Sequence, residues 1–552
     1  MLMLEDPALP TEMSDPQLAP EVVSTWRDAL RNTEDHELLQ VIAADLVQAR
    51  RNSEADLSIL LPELRAAFAG ATRSTLRANL ARALAELNDE QSADVLAEAA
   101  ATDLSVADAV NSALVRWRHI PTKDRWQRDI VDRDLSVRRR RQAIDGCGEL
   151  RLVAAVDNLR TLVGNRREPL TLRTAAAEAI ARCSEGGNLE QAKTLFTAEG
   201  DVGAMLAARL LAETELEEAK PLLIELTQHK NLGVSSVACA RLAKQWPLDL
   251  VELAKPMVSH PSYKSRLEVV RTTGQHAGDA APALLGPYLS DLHPLVREAA
   301  GAELVRLGRE GMREAVQAEA LAALRGDAWQ GHAQGARVSV ELELLDACPV
   351  ALEMLNASHA QSRQAVCYLL GRLLPAEDLT PALKHAEDLA SLRVKSPLEA
   401  PIDTELLLLM QAFGRTRYEP SETFLRSMVP KSAPFYFPLR MCGIWGLGKL
   451  YEGKAPKDLG EQFAGRLNDA NNMNAEADPV RAMSAVSIGR MLCKDQLKDI
   501  HRWFPPTRDS YLGMSLGWAA EQLTGEAPEF PSGASRLMTR FFVLPQAARF
   551  EN

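Results

Sequence analysis

One pattern recurs along this chain and excludes most folds. Its best copy is Asp291-Leu292-His293-Pro294-Leu295-Val296-Arg297-Glu298-Ala299-Ala300-Gly301-Ala302-Glu303-Leu304. A turn leads into a proline, and apolar or small residues then stand at Val296, Ala299, Ala300 and Leu304. That spacing lays a narrow stripe along one helix face, slim enough for a second helix to come close. The same test, with anchors at Leu38, Leu172, Val202, Val234, Ser362, Leu439 and Val480, finds the stripe again three, four and eight places on, and Leu76 continues into Leu80 and Leu84. Val137 and Tyr263 begin poorer copies, and weaker candidates near Val106, Ala336, Glu405 and Tyr511 fill the larger gaps. Anchors lie mostly 29 to 43 residues apart, the period of stacked helix pairs. The expected fold is all-α, a right-handed solenoid of roughly 12–14 helix pairs.

Composition agrees with that fold. Aromatic residues make up only 5% of the 552 residues, against 46% hydrophobic, which suits close-packed helices better than a sheet core. Two prolines recur in register. Pro169, Pro261, Pro294, Pro438 and Pro479 precede or open the striped helix, where a fixed φ is useful and no donor is lost. Pro221, Pro256, Pro282 and Pro381 fall in the preceding helix and are expected to kink it.

The pattern Asp-x-x-x-x-Val-Arg-x-x-Ala-Ala-x-x-x-Leu resembles the second helix of a HEAT repeat, in full at Asp291 and in its opening at Asp132 with Val137 and Arg138. The resemblance covers roughly residues 35 to 525. It implies a structural ladder between neighbouring repeats made by Asp291, Arg297, Asp132, Arg173, Arg363, Arg440 and Arg481. Residues 1–34 read as an acidic, Pro-rich leader and 35–325 as a first array. Residues 326–335, glycine-rich and holding Trp329 and His332, read as a loop. A second array follows over 336–525, with long loops at Lys395–Asp403, Lys431–Pro438 and Asn468–Pro479. Residues 526–552 read as a tail or cap. Arg337–Leu344 alternates like a strand, but a lone strand has no partner in such an array, so a helix is expected.

Enzyme signatures fail on context. Gly513-Met514-Ser515-Leu516-Gly517 has the spelling of a nucleophile elbow, yet it runs on helically through Trp518, Ala519 and Leu523. Gly443 to Lys449 approaches a phosphate-binding loop, but no strand precedes it and Leu450 replaces the magnesium-binding hydroxyl. The ten histidines form no ligand cluster, and the seven cysteines are scattered with no CxxC, so neither a cofactor nor a metal is expected. The N-terminus lacks a signal peptide, and no apolar run is long enough to span a membrane. A cytoplasmic protein without membrane insertion is expected.

Charge singles out one region. Residues 116–182 hold 16 Lys and Arg against 9 Asp and Glu, on a chain whose net charge is −12. Arg138-Arg139-Arg140-Arg141 is its centre, with Trp117 and Trp126 near in sequence. These residues, with Trp329, are the candidate partner-binding positions, suited to an acidic or phosphorylated protein segment. The expected function is a non-enzymatic scaffold or adaptor. Two alternatives are a nucleic-acid-binding protein of the alkylpurine-glycosylase type, disfavoured by the acidic remainder, and a bilin-lyase-type accessory protein, for which no residues speak.

Overall fold

A computed structural model describes residues 20–526, apart from 34, 53–55, 185–187, 396–399, 433–434, 471–473 and 504–510. The leader before residue 20 and the tail beyond 526 lie outside the described residues. Among the described residues there is no strand. The chain divides into two units, one built on residues up to Glu252 with Ser259–Val269, the other on Leu253–Val258 with residues from Val270 on.

The first unit pairs α1 (Pro20–Asn32) with α2 (His36–Asn52), α3 (Leu61–Gly70) with α4 (Ser74–Glu86), and α5 (Ala93–Thr102) with α6 (Leu104–Arg116). It continues with α7 (Ile120–Asp129) and α8 (Val137–Glu149), α9 (Val156–Gly164) and α10 (Leu170–Cys183), and α11 (Leu189–Ala198) and α12 (Gly200–Leu210). The pair α13 (Lys220–Thr227) and α14 (Leu232–Gln245) is followed by α15 (Pro247–Glu252). Next in the chain come α16 (Ala254–Met257), which belongs to the second unit, and α17 (Tyr263–His276), which spans the boundary.

The second unit pairs α18 (Ala281–Leu285) with α19 (Pro294–Leu307), α20 (Arg313–Arg325) with α21 (Trp329–Glu341), and α22 (Ala347–Glu353) with α23 (Ala360–Leu373). After them stand α24 (Leu379–Lys395) and α25 (Ala400–Thr416), α26 (Glu422–Met428) and α27 (Phe437–Leu450), α28 (Lys457–Asn468) and α29 (Asp478–Met491), and α30 (Leu497–Arg502) and α31 (Tyr511–Thr524). Every anchor but Tyr263, which opens α17, falls in the second helix of a pair, including the four weak candidates. Apart from α17, second helices pack side by side along each unit, and each also packs on the first helix of its own pair.

Small residues make that stacking possible. In α10, Leu172, Ala175, Ala176, Ala179, Ile180 and Cys183 are all buried. A Cβ on Gly148 of α8 would lie 2.9 Å from the Ala179 Cα, so the two helices meet at backbone distance. Further along, a Cβ on Gly371 of α23 would collide with the Leu408 carbonyl of α25.

The structure corrects three expectations. The prolines at 221, 256, 282 and 381 do not kink helix interiors. They stand in the first turns of α13, α16, α18 and α24, where the missing N–H has no helical partner to lose. The glycine-rich segment 326–335 is not a loop between arrays. α21 begins at Trp329, and Gly331, His332 and Gly335 are buried inside it. Gly331 is small because Ser290 presses on it, and Gly335 because the Ala320 carbonyl does. Residues 337–341 complete the same helix, and the strand-like alternation ends there.

The third correction concerns the ladder. The arginine is real, at the fourth residue of α10 (Arg173), α19 (Arg297), α23 (Arg363), α27 (Arg440) and α29 (Arg481). It folds back to carbonyls at the end of the preceding segment and, in the best cases, reaches forward to a carboxylate of the next repeat. Arg173 donates to the Val163 carbonyl and to Glu199, each at 2.8 Å. Arg363 holds the Ala357 carbonyl at 2.9 Å and Glu405 at 3.1 Å. Arg440 holds the Phe435 carbonyl at 2.8 Å and Glu476 at 2.7 Å. The acids at these three arginines are glutamates of the following repeat, and Asp132, expected among them, is not one. Asp132 and Asp291 accept the backbone N–H of Asp134 and His293, closing the turn before the helix. Arg297 bonds the Leu292 carbonyl at 3.0 Å and lies over the Trp329 ring, and Arg481 lies over Trp503.

A second, reverse set of contacts runs near the other end of the second helices. Arg116 donates to the Ala85 carbonyl at 2.8 Å, Arg306 to the Gly274 carbonyl at 2.7 Å and Arg415 to the Leu374 carbonyl at 2.5 Å. Each cation thus meets a carbonyl near the C-terminus of the previous second helix, where Ala85 also accepts the Asn88 N–H.

Candidate functional site

Four consecutive helical residues point in four directions about 100° apart, so Arg138–Arg141 cannot act as one cluster. α8 sorts them into two pairs. Arg140 is the fourth residue of the helix and takes the ladder position, with its side chain 7% exposed. It donates to the Ile130 carbonyl and to Glu168 at 2.8 Å. Arg139 turns toward α7, donating to Asp129 at 3.3 Å and to the Ala101 carbonyl. The sequence register that paired Asp132 with Arg138 was two residues early. Tyr263 misled it in the same way, since Arg266 is the fourth residue of α17.

Arg138 and Arg141 face outward along the second helices. Arg138 bridges back to Asp108 of α6, and both side chains are about half exposed, at 57% and 45%. Gln142 shares the same carboxylate. Arg141 pairs with Asp145 one turn on at 3.5 Å. Beside them, α10 presents Arg182 in its last turn, exposed, and α12 presents Arg209, bonded to Glu178. Burial pushes the Asp145 carboxyl up, against the pull of Arg141 and Arg182. Desolvation, then the nearby charge of Arg141, pushes the Arg209 guanidinium down. α8, α10 and α12 therefore carry one strip of exposed or half-exposed guanidiniums, among carboxylates of α6, α8 and α10 that water also reaches. Arg182 and Arg209 escaped the sequence reading, although Arg182 lies nine residues after the ladder arginine of its own helix.

The tryptophans do not join this strip. Trp126 is 2% exposed and its ring fills the space left by Gly146. A buried ring against a helix backbone is core, and this corrects its assignment as a contact residue. Trp117 is half-buried at the end of α6, its Nε1 donating to Asn88 at 2.9 Å. Trp329 belongs to the other unit, stacked on His359 at 5.8 Å between ring centroids and capped by Arg297. His332 stands there in the ladder position, bonding the Gly326 carbonyl and Ser362, each at 2.7 Å.

A guanidinium strip of this kind can bind carboxylate or phosphate by paired N–H···O bonds. The two apparent enzyme motifs are helix: Gly513–Gly517 lies in α31, and Gly443–Lys449 lies in α27 with its glycines against Leu425, Met428 and Ser487. Among the described residues, no group of three or more His, Cys, Asp or Glu side chains could hold a metal ion, and no helix is long and apolar enough to cross a membrane.

No protein-family model matches the chain, and no curated protein matches it in sequence. Solved structures with a similar course include Kap95p bound to RanGDP, 12% identical over 92% of this chain and 72% of that one, with a TM-score of 0.47. The karyopherin Kap121p bound to the SUMO protease Ulp1p is 11% identical over 93% of this chain and 61% of that one, with a TM-score of 0.34. Kap121p bound to Nup53p is 11% identical over 91% and 69%, with a TM-score of 0.32. On its own stacked helix pairs, the chain is an all-α helical-repeat protein.

Proposed function

We propose that this protein is a non-enzymatic scaffold that holds an acidic or phosphorylated protein segment along the second helices of its first unit. The observation that carries the reading is the strip formed by Arg138, Arg141, Arg182 and Arg209, contributed by three adjacent repeats. Its present carboxylate partners are partly exposed. Such ion pairs contribute on the order of 0–1 kcal/mol, so a multivalent acidic segment can displace them at little cost. Helices packed about 8–10 Å apart meet an extended segment roughly once every three residues. All seven cysteines are buried free thiols, which suits a reducing compartment such as the cytoplasm.

The test is affinity capture from native lysate with the wild-type chain and with Arg138→Glu/Arg141→Glu/Arg182→Glu. A protein partner retained by the former and lost by the latter, with both chains equally folded by circular dichroism, is the expected result. An unchanged set of retained proteins, or specific turnover of a small molecule, would overturn it.

A further inference from the structure

The second unit holds a site of a different kind, where its regular construction breaks. α19 does not end in a left-handed cap. The chain breaks at a short kink, Gly308–Met312, where Gly311 takes φ +111° and leaves helical geometry before α20 begins. The kink sets Arg309 and Glu310 immediately beyond Arg306. Between α19 and α21 it leaves a cleft of about 480 Å³. Gly301, Ala302 and Val305 form the α19 side, and Arg306, Arg309 and Arg337 supply three guanidiniums.

Arg306 and Arg309 make one fixed and two exchangeable ion pairs here. Arg306 is anchored from behind by the Gly274 carbonyl at 2.7 Å and by Glu303 at 2.9 Å, whose side chain is only 19% exposed. Its remaining Nη1 meets Glu310 at 2.5 Å, and Arg309 meets Glu341 at 2.9 Å. Glu310 and Glu341 are 54% and 44% exposed. Each can swing into water and leave a guanidinium edge facing the cleft. The small α19 side chains leave depth for a group larger than a carboxylate.

We infer that this cleft binds a phosphomonoester, with Glu310 and Glu341 occupying the phosphate-oxygen positions until the ligand displaces them. A dianion with three oxygens matches guanidiniums on two walls better than a single carboxylate does. The inference rests on the second unit alone and stands or falls apart from the strip on α8.

The experiment uses the full-length chain and fluorescence anisotropy of a labelled Gly/Ala/Ser peptide carrying one phosphoserine. Its unphosphorylated twin and inorganic phosphate serve as the other arms. Saturable binding of the phosphopeptide, absent for its twin, is expected. Arg309→Ala/Arg337→Ala should weaken it about tenfold or more. Glu310→Gln/Glu341→Gln should tighten it by about two- to fivefold, because the occupants to be displaced are gone. Lys457→Ala, at an exposed cation of α28 outside the cleft, should leave it unchanged. Competition by inorganic phosphate at the concentration of the peptide identifies a small soluble phosphate as the source. Competition only at a large excess identifies a phosphorylated segment. Equal binding of both peptides, retention by the arginine variant, or weaker binding by the glutamine variant overturns the inference.

Discussion

At the scale of single residues, exposure decides what a charge is worth. Arg173 and Glu199 are 5% and 9% exposed, whereas Arg138 and Asp108 are about half exposed. Removing one partner of a buried pair leaves the other desolvated and unpaired, at a cost of about 3–5 kcal/mol. Arg173→Ala should therefore lower the urea midpoint sharply, and Arg138→Ala should cost under about 1 kcal/mol. Titration supplies a second expectation. Burial pushes the imidazoles of His260 and His385 below their ordinary range; Arg266 adds to this at His260, while at His385 Asp388 opposes it and Arg363 adds to it. A histidine held low in the fold takes its proton more readily when unfolded. Its contribution is present above pH 6.5 and is lost as pH falls through the folded value. Thermal melts should drop between pH 7 and 5, and His260→Asn/His385→Asn should flatten that drop.

At the scale of elements, the helix ends were the least legible part of the sequence. Six second helices end with a non-glycine residue in the left-handed region: Asn88, Arg118, Arg151, Glu343, Arg417 and Leu492. The residue after each closes the end with a six-residue loop bond, such as Leu152 N–H to the Cys147 carbonyl at 3.0 Å. Glycine normally marks such a cap, so its absence hid the motif. Arg151→Gly should raise stability by about 1 kcal/mol, read as a shift in the urea midpoint without a change in slope. The stripe of small residues was legible because packing at backbone distance demands it in every copy. The ladder arginine was legible for the same reason wherever the helix start was. At α8 and α17 the start was misread by two residues, because Arg139 or Ser265 stood where an apolar anchor was sought. The acids of the ladder were hidden, since Glu168, Glu199, Glu405 and Glu476 stand at no fixed distance from their arginines. Arg306, Arg309 and Arg337 could be found only from the packing of α19 on α21 that brings them to one cleft.

At the scale of the molecule, every cysteine lies in the packed interior. Desolvation pushes the thiols of Cys147, Cys239 and Cys442 up to about 12, and those of Cys348 and Cys493 up to about 11. At pH 8 a thiol near 12 is ionised on the order of one part in ten thousand. Iodoacetamide should leave the native chain unmodified and label all seven cysteines in urea, so the rate of labelling reports opening of the array. The two sets of arginine contacts govern how that opening spreads. Fourth-position arginines reach forward to the next repeat, and those near the helix ends reach back to the previous one. An interior repeat is thus clamped from both sides, and its coupling to its neighbours rivals its own stability. A truncation placed between such an arginine and its acid must strand a guanidinium or a carboxylate. A chain stopped after Cys183 would keep Arg173 but lose Glu199. Shortened versions should therefore fray inward from the cut through more than one repeat, and choosing a stable fragment becomes a matter of ending where no arginine looks ahead.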